Sequence, residues 1–357
     1  MTTSPTRRRR SGASARGARS ARGARLGGPA LVATALGLAV ASTVALAGCA
    51  APASAERPEA SAPATSGYPL TLDNCGTEVT FDAAPERVVT VKSSTLELML
   101  ALGLGDRVVG TAFSDGPVPE EYADALVGVP VVSDKVPSQE ATLELEPDLV
   151  YAGWESNLSA EGAGERDQLA ALGVASYVAP AACKGAGYMP DPLTFDEVFR
   201  EFEELGAIFD VPDAAAELVA EQRAALGAVE PNTDGLTALW YSSGTDTPFV
   251  GAGIGAPQMI MDAAGLENVA ADVRDTWTSM SWEAVVDAEP DVIVLVDAPW
   301  NTAASKIELL QQNPVTAALP AVAQQRFLVV DFPATEAGVR NVSAVQSLVE
   351  QLGALEG

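Results

Sequence analysis

Lys92, Ser93 and Ser94 follow a short apolar run at 88–91 and precede a helical pattern that begins near Thr95. An ammonium, two hydroxyls and the unpaired N–H groups of a helix start would meet at one point there, which suits an anion. A plainly capped helix with a solvated lysine accounts for the same residues. Trp154, Trp240 with Tyr241, Trp277 and Trp300 fall near expected strand ends, where their rings can stack on a flat ligand. Taken singly, each is as well explained by packing at the edge of a core. Arg274 offers a guanidinium fork for a phosphate or carboxylate. Asp115 and Glu155 have the chemistry of a general acid and base, but nothing in the spacing sets two acids at a defined separation, so no catalytic residues are assigned. The chain has no histidine. A Ser-His-Asp or Cys-His arrangement cannot be built, and metal capture through imidazoles is excluded. No metal and no cofactor is expected.

The elements that position these groups announce themselves through a repeat. Residues 138–148 and 281–291 match in register: Ser138 with Ser281, Glu140 with Glu283, Ala141 with Ala284, and Glu-Pro-Asp at 146–148 with Glu-Pro-Asp at 289–291. Each copy runs into an apolar stretch, which predicts two related lobes and a cleft. Both serines stand where an N-cap belongs, so Glu140 and Glu283 fall in a first helical turn, where the helix dipole favours a carboxylate by about 0.3–1 kcal/mol. That explains either glutamate alone. The same acid kept in both copies suits docking on a symmetric partner that presents arginines. Glu-Pro-Asp reads as a helix-to-strand turn.

Residues 68–193 read as an amino-terminal α/β lobe, with a strand, turn and strand over 68–81 around Asn74, Cys75 and Gly76. Strands follow at 88–91, 108–113, 129–132, 149–152 and 174–178, and helices at 95–102, 138–145 and 162–172. Residues 194–231 turn helical: Thr194 and Glu197 form a capping box, Phe195, Val198, Phe199, Phe202, Leu205 and Phe209 recur at helical spacing, and Pro212 can open a second helix. This region reads as a stiff strut between lobes, or else as two surface helices of the first lobe. Residues 232–357 form the second lobe, with strands at 236–241, 292–296 and 327–330 and helices at 257–264 and 342–352. The loop from Gly251 to Gly255 lacks the spacing and lysine of a phosphate loop and reads as a tight turn.

The first 48 residues hold eight arginines and no acid, then an apolar run over 30–46 that ends in Leu46-Ala47-Gly48-Cys49. This is the pattern of a lipoprotein signal peptide, with Cys49 as the lipidated first residue of the mature chain. A membrane anchor is the alternative, though the run is short of the roughly 20 residues a span needs. General secretion fits better than a twin-arginine route. Residues 49–67, rich in Ala, Pro, Ser and Glu, make a flexible tether that reaches up to about 50 Å from the bilayer. Removing the eight arginines from 21 basic residues leaves 13 against 48 acids, a formal charge of −35. That balance argues against nucleic acid as a partner. An exported compartment permits Cys75 and Cys183 to pair as a disulfide; two buried thiols or a metal pair are the alternatives.

Over residues 70–352 the chain resembles the substrate-binding lipoproteins of ABC importers for ferric siderophores, haem and cobalamin. The resemblance rests on Thr77-Glu-Val-Thr-Phe81, Ala84-Pro-Glu-Arg-Val-Val89, Leu102-Gly103, the two Glu-Pro-Asp copies, Leu319-Pro-Ala-Val322 and Gly338-Val-Arg340. It implies an α/β fold of two doubly wound lobes joined by a long rigid helix, a ligand held between them and little closing motion. It implies that Glu140 and Glu283 meet arginines of a permease dimer served by an ATPase, and that Arg340 points into the cleft. Residues 73–81, 90–99 and 110–116 are similar to a narrower subgroup proposed to import unglutamylated coenzyme F-420, a deazaflavin with a phosphodiester and a carboxylate. The expected molecule is an extracytoplasmic monomer held to the membrane by the lipid on Cys49.

Overall fold

The computed structural model describes residues 67–356. The signal segment, Cys49 and the tether up to residue 66 lie outside the described residues. Strands β1 (Leu70–Asn74) and β2 (Thr77–Phe81) pair antiparallel. Their two-residue turn uses Cys75 at φ 54° and Gly76 at φ 81°, the left-handed pair such a turn demands.

Next come β3 (Val88–Val91), α1 (Ser93–Ala101), β4 (Val108–Ala112), β5 (Val131–Ser133), α2 (Gln139–Leu143), β6 (Leu149–Ala152), α3 (Arg166–Ala171) and β7 (Ala175–Val178). The five strands form an all-parallel sheet in the order β5-β4-β3-β6-β7. Every residue of β3 and β6 is buried, as strands covered on both faces must be. The chain winds outward from β3 to β5 and resumes at β6 on the other side of β3, so β3 and β6 flank a topological switch point.

Helices α4 (Phe195–Ile208) and α5 (Pro212–Gly227) follow and pack on each other. The expected capping box forms: Thr194 Oγ1 accepts from the Glu197 N–H, and Glu197 accepts from the Thr194 N–H at 2.7 Å. Val198, Phe199, Phe202, Leu205 and Ile208 are buried along α4. The region thus holds two consecutive helices of 14 and 16 residues, the second opened by Pro212 as the sequence indicates. Pro212 ends the option of continuity, because the proline has no N–H to donate and its ring requires a fresh helix start.

The second sheet is drawn from β8 (Leu236–Ser243), β9 (Phe249–Gly251), β10 (Leu266–Asn268), β11 (Trp277–Ser279), β12 (Val292–Asp297) and β13 (Phe327–Asp331). Its order is β11-β9-β8-β12-β13, with β10 also on β8; β8, β10, β12 and β13 run parallel, and β9 alone runs against them, pairing antiparallel with both β8 and β11. Helices α6 (Ala256–Ala264), α7 (Trp282–Ala288), α8 (Ala303–Gln312), α9 (Pro320–Ala323) and α10 (Asn341–Glu356) complete it. The loop before α6 is the tight turn expected: a Cβ on Gly253 would lie 1.9 Å from the Ala271 carbonyl oxygen, so only glycine fits.

The two repeat copies fold alike. Ser138 caps α2 and Ser281 caps α7, accepting from the N–H groups of Ala141 at 3.2 Å and Ala284 at 3.1 Å. Glu146 and Glu289 both turn left-handed, at φ 46° and 44°. Asp148 then accepts the N–H groups of Glu86 and Arg87, at 2.7 and 2.9 Å, just before β3. Asp291 accepts the Thr237 N–H at 2.9 Å at the start of β8. Each aspartate therefore fastens the central strand of its sheet to the strand beside it. The Cys75–Cys183 disulfide is present, with a Cα–Cα distance of 5.3 Å, and ties the β1–β2 turn to the segment after β7.

Candidate functional site

A cavity of about 650 Å³ lies beyond the carboxyl ends of the strands of both sheets. Its first wall comes from the switch point, where Ser94 follows β3 and Gly153, Trp154, Glu155 and Ser156 follow β6. Ser242 and Ser243 end β8, Trp277 starts β11 and Phe249 starts β9, while Phe332, Thr335 and Glu336 follow β13. Lys184, Asp275 and Thr276 close one side. Four aromatic rings therefore face a space within the usual range for a small-molecule site.

Beneath this wall Lys92 is fully buried. Its Nζ pairs with the buried Asp115 carboxylate and lies 3.6 Å from the Trp154 ring centroid, 4.6 Å from Phe113 and 5.0 Å from Phe332. Asp115 also accepts weakly from the Ser93 N–H, at 3.4 Å, and its own N–H donates to Ser93 Oγ at 2.8 Å. The expected anion seat is thus filled from within: a carboxylate of the chain sits at the start of α1, and the lysine's charge is spent on it. Burial pushes the Asp115 carboxyl up even against the adjacent ammonium. Lys92 holds φ 95° and ψ 153°, a region otherwise left to glycine and costing about 1–3 kcal/mol. Gly153 makes the approach possible, since a Cβ there would lie 2.8 Å from Lys92 Cβ.

Several other expected contacts are also elsewhere. Trp240 is fully buried in the main core, because β8 is a central strand and position 240 points inward. Tyr241 faces the opposite core, stacks edge-on with Trp282 at 5.2 Å and donates its O–H to the Gly244 carbonyl at 2.6 Å. Trp300 is 62% exposed and lies outside the cavity wall, 5.5 Å from the Phe332 ring. Arg340 does not enter the cavity. Its guanidinium grips Glu97 through both carboxylate oxygens, Nε to Oε2 at 2.6 Å and Nη2 to Oε1 at 2.5 Å, and Nη2 also donates to the Pro117 carbonyl at 2.8 Å. Glu97, on α1, is 1% exposed, so this fork joins the start of α10 to the first sheet's layer. Arg274 pairs with Asp191 at the surface. Of the nine residues expected to line the ligand, Ser94, Trp154 and Trp277 lie on the cavity wall.

Apart from Glu155, residues that the sequence did not single out supply the rest of the wall. Phe332 and Glu336 follow β13 by the same strand-end logic that selects Lys92, and that logic applied to every strand would have found them. The charged wall groups are Glu155, Asp275 and Glu336 against Lys184, a formal surplus of two negative charges. Lys184 Nζ pairs with Asp275 at 3.0 Å and donates to Thr276 Oγ1 at 2.7 Å. Burial works against the charge on Asp275, yet hydrogen bonds from Lys184 and Thr276 hold its carboxyl below the usual range. The Lys184 backbone N–H donates to Glu155. Glu336 is half-buried, and its Oε2 accepts the Trp154 Nε1–H at 3.0 Å. Burial pushes the Glu336 carboxyl up despite the nearby Lys92 ammonium and this hydrogen bond. Among the described residues no cluster of three or more His, Cys, Asp or Glu is arranged to hold a metal ion, and no helix is long and apolar enough to cross a membrane.

Glu140 and Glu283 are exposed in the first turns of α2 and α7.

The model of the periplasmic binding protein family matches residues 88–334. The YvrC protein of Bacillus subtilis strain 168, an uncharacterised ABC transporter substrate-binding lipoprotein, is 27% identical over 309 residues, covering 81% of this chain and 87% of its own. A cobalamin-binding protein of Halobacterium salinarum is 32% identical over 251 residues, which span 66% of this chain and 60% of that protein. Among solved structures, an ABC-type Fe3+-hydroxamate transport protein from Saccharomonospora viridis superposes with a TM-score of 0.69 at 30% identity, covering 80% of this chain and 99% of its own. The chain therefore belongs to the periplasmic binding protein family, and is an ABC-importer substrate-binding protein rather than an enzyme.

Proposed function

We propose that the protein captures a compact metal chelate of the ferric hydroxamate kind outside the cytoplasmic membrane and delivers it to an ABC permease. The observation that carries this reading is the cavity of about 650 Å³ walled by Trp154, Trp277, Phe249 and Phe332, with a surplus of carboxylates and every nearby basic group already paired. A ferric ion wrapped by three hydroxamates is neutral overall and presents an apolar outer surface. It needs no protein ligand to the metal, which agrees with a chain that has no histidine. The Saccharomonospora viridis relative supports the same chemistry.

Unglutamylated coenzyme F-420 is the second reading, favoured by the Trp154 and Trp277 rings as stacking faces. Its phosphodiester and carboxylate would have to lie against Glu155, Asp275 and Glu336 without a free guanidinium on the wall. Haem or cobalamin belongs to the same class of readings, and the Halobacterium salinarum relative speaks for cobalamin. Glu140 and Glu283 are proposed to meet arginines of the permease dimer, and Cys49 to carry the lipid.

Titration with ferric trihydroxamates, F-420 without glutamates, haemin and cyanocobalamin, followed by tryptophan quenching and melting temperature, tests the assignment. Quenching and a raised melting temperature with a trihydroxamate are expected. A response to the deazaflavin alone would replace the first reading with the second.

A further inference from the structure

The three wall carboxylates are not equivalent. Asp275 is matched by the Lys184 ammonium, and Glu155 is held by the Lys184 backbone N–H. Glu336 is tied only through Oε2, to the neutral indole N–H of Trp154, and among the described residues its Oε1 accepts no hydrogen bond. The buried Lys92 ammonium, which lies over the Trp154 ring, is already paired with Asp115. Burial leaves the Glu336 carboxyl raised despite that neighbour, so its charge is under-compensated in a half-buried setting. A cationic group arriving with the ligand would supply what the wall lacks, and a charge-assisted hydrogen bond in such a place is stronger than one in water.

We propose that Glu336 is the specificity-determining carboxylate of the cavity and that the ligand is a ferric trihydroxamate bearing a free ammonium arm. This rests on the hydroxamate reading above and adds the sign of the ligand's charge and the residue that reads it. The chelate's apolar body lies against Trp154, Trp277 and Phe332, and its ammonium reaches the open Oε1 of Glu336. Lys92 and Asp115 cancel each other, so they contribute no opposing selection.

The test uses one chelate in two charge states: ferric desferrioxamine B, whose free end is an ammonium, and its N-acetyl derivative, in which that end is a neutral amide. Both are titrated into the purified protein with tryptophan quenching as readout. The wild type is expected to bind the ammonium form at least about tenfold more tightly. Glu336→Gln keeps an oxygen for the Trp154 N–H and loses only the charge, so it is expected to weaken the ammonium form alone and bring the two affinities together. Equal affinities in the wild type overturn the proposal whether or not the variant folds, as does a preference that survives in Glu336→Gln; the hydroxamate reading stands in both cases. If neither chelate binds, the hydroxamate reading fails and the proposal falls with it.

Discussion

Replacing Arg340 with methionine separates a ligand contact from a brace between lobes. The substitution keeps apolar bulk and removes the fork on Glu97, leaving a carboxyl that is 1% exposed without its basic partner. Breaking a buried pair from one side costs about 3–5 kcal/mol. Residues 67–356, at an unfolding entropy of about 2.1 cal/mol/K per residue, give about 0.6 kcal/mol/K, so the melting temperature is expected to fall by about 5–8 °C. The loss carries a pH signature. Burial already pushes the Glu97 carboxyl up against the pull of Arg340, and without the arginine it rises further. A carboxyl whose folded pKa exceeds its unfolded value contributes stability that is present below the unfolded value and is lost as pH rises through the folded one. The Arg340→Met deficit is therefore smaller near pH 5 than near pH 8, and Glu97→Gln combined with Arg340→Met recovers most of it. Scanning fluorimetry of the wild type, Arg340→Met and the double variant at both pH values reads this directly. If Arg340→Met melts within about 1 °C of the wild type at pH 8 but loses ligand affinity, Arg340 contacts the ligand and the brace is wrong.

Cys75→Ser with Cys183→Ser removes a cross-link between residues 108 apart in sequence, with an entropic ceiling of about 4.7 kcal/mol, so reductant should lower the melting temperature of the wild type and leave the variant unmoved. Glu201 is pushed up to about 7 by burial, although it accepts the Tyr151 O–H. Its contribution to stability is thus present at acid pH and lost as pH rises through about 7; urea unfolding across that window should show the slope, and Glu201→Gln should flatten it. Glu140→Ala with Glu283→Ala should abolish ligand uptake by cells while solution affinity stays unchanged and stability falls by no more than about 1 kcal/mol. Normal uptake in that variant sinks the docking role.

The α/β framework was legible because its strands carry strong local signals: 88–91 and 149–152 are runs of apolar or small residues, and Ser138 and Ser281 mark their helices by capping. Strands β9, β10 and β11 escaped because three residues each are too few for an alternating pattern to register. Trp154 and Trp277 were found by their place near strand ends, but Trp240 fails the same rule because two residues earlier in a strand means another layer of the molecule. The charged residues misled for a shared reason. Lys92 and Arg340 look like anion seats until their partners Asp115 and Glu97 are known, and those partners stand 23 and 243 residues away. Pairing at such range leaves no mark on local spacing.

Asp148 and Asp291 carry a consequence for how the chain is assembled. Asp148 reaches back 62 residues to Glu86, and Asp291 reaches back 54 to Thr237, so neither central strand is locked when it first emerges from the ribosome. Each must wait for the aspartate that closes its loop, and long-range closure of this kind is slow compared with helix formation. The two spans do not overlap. Each sheet can find its register without the other, the first while the second is still being made.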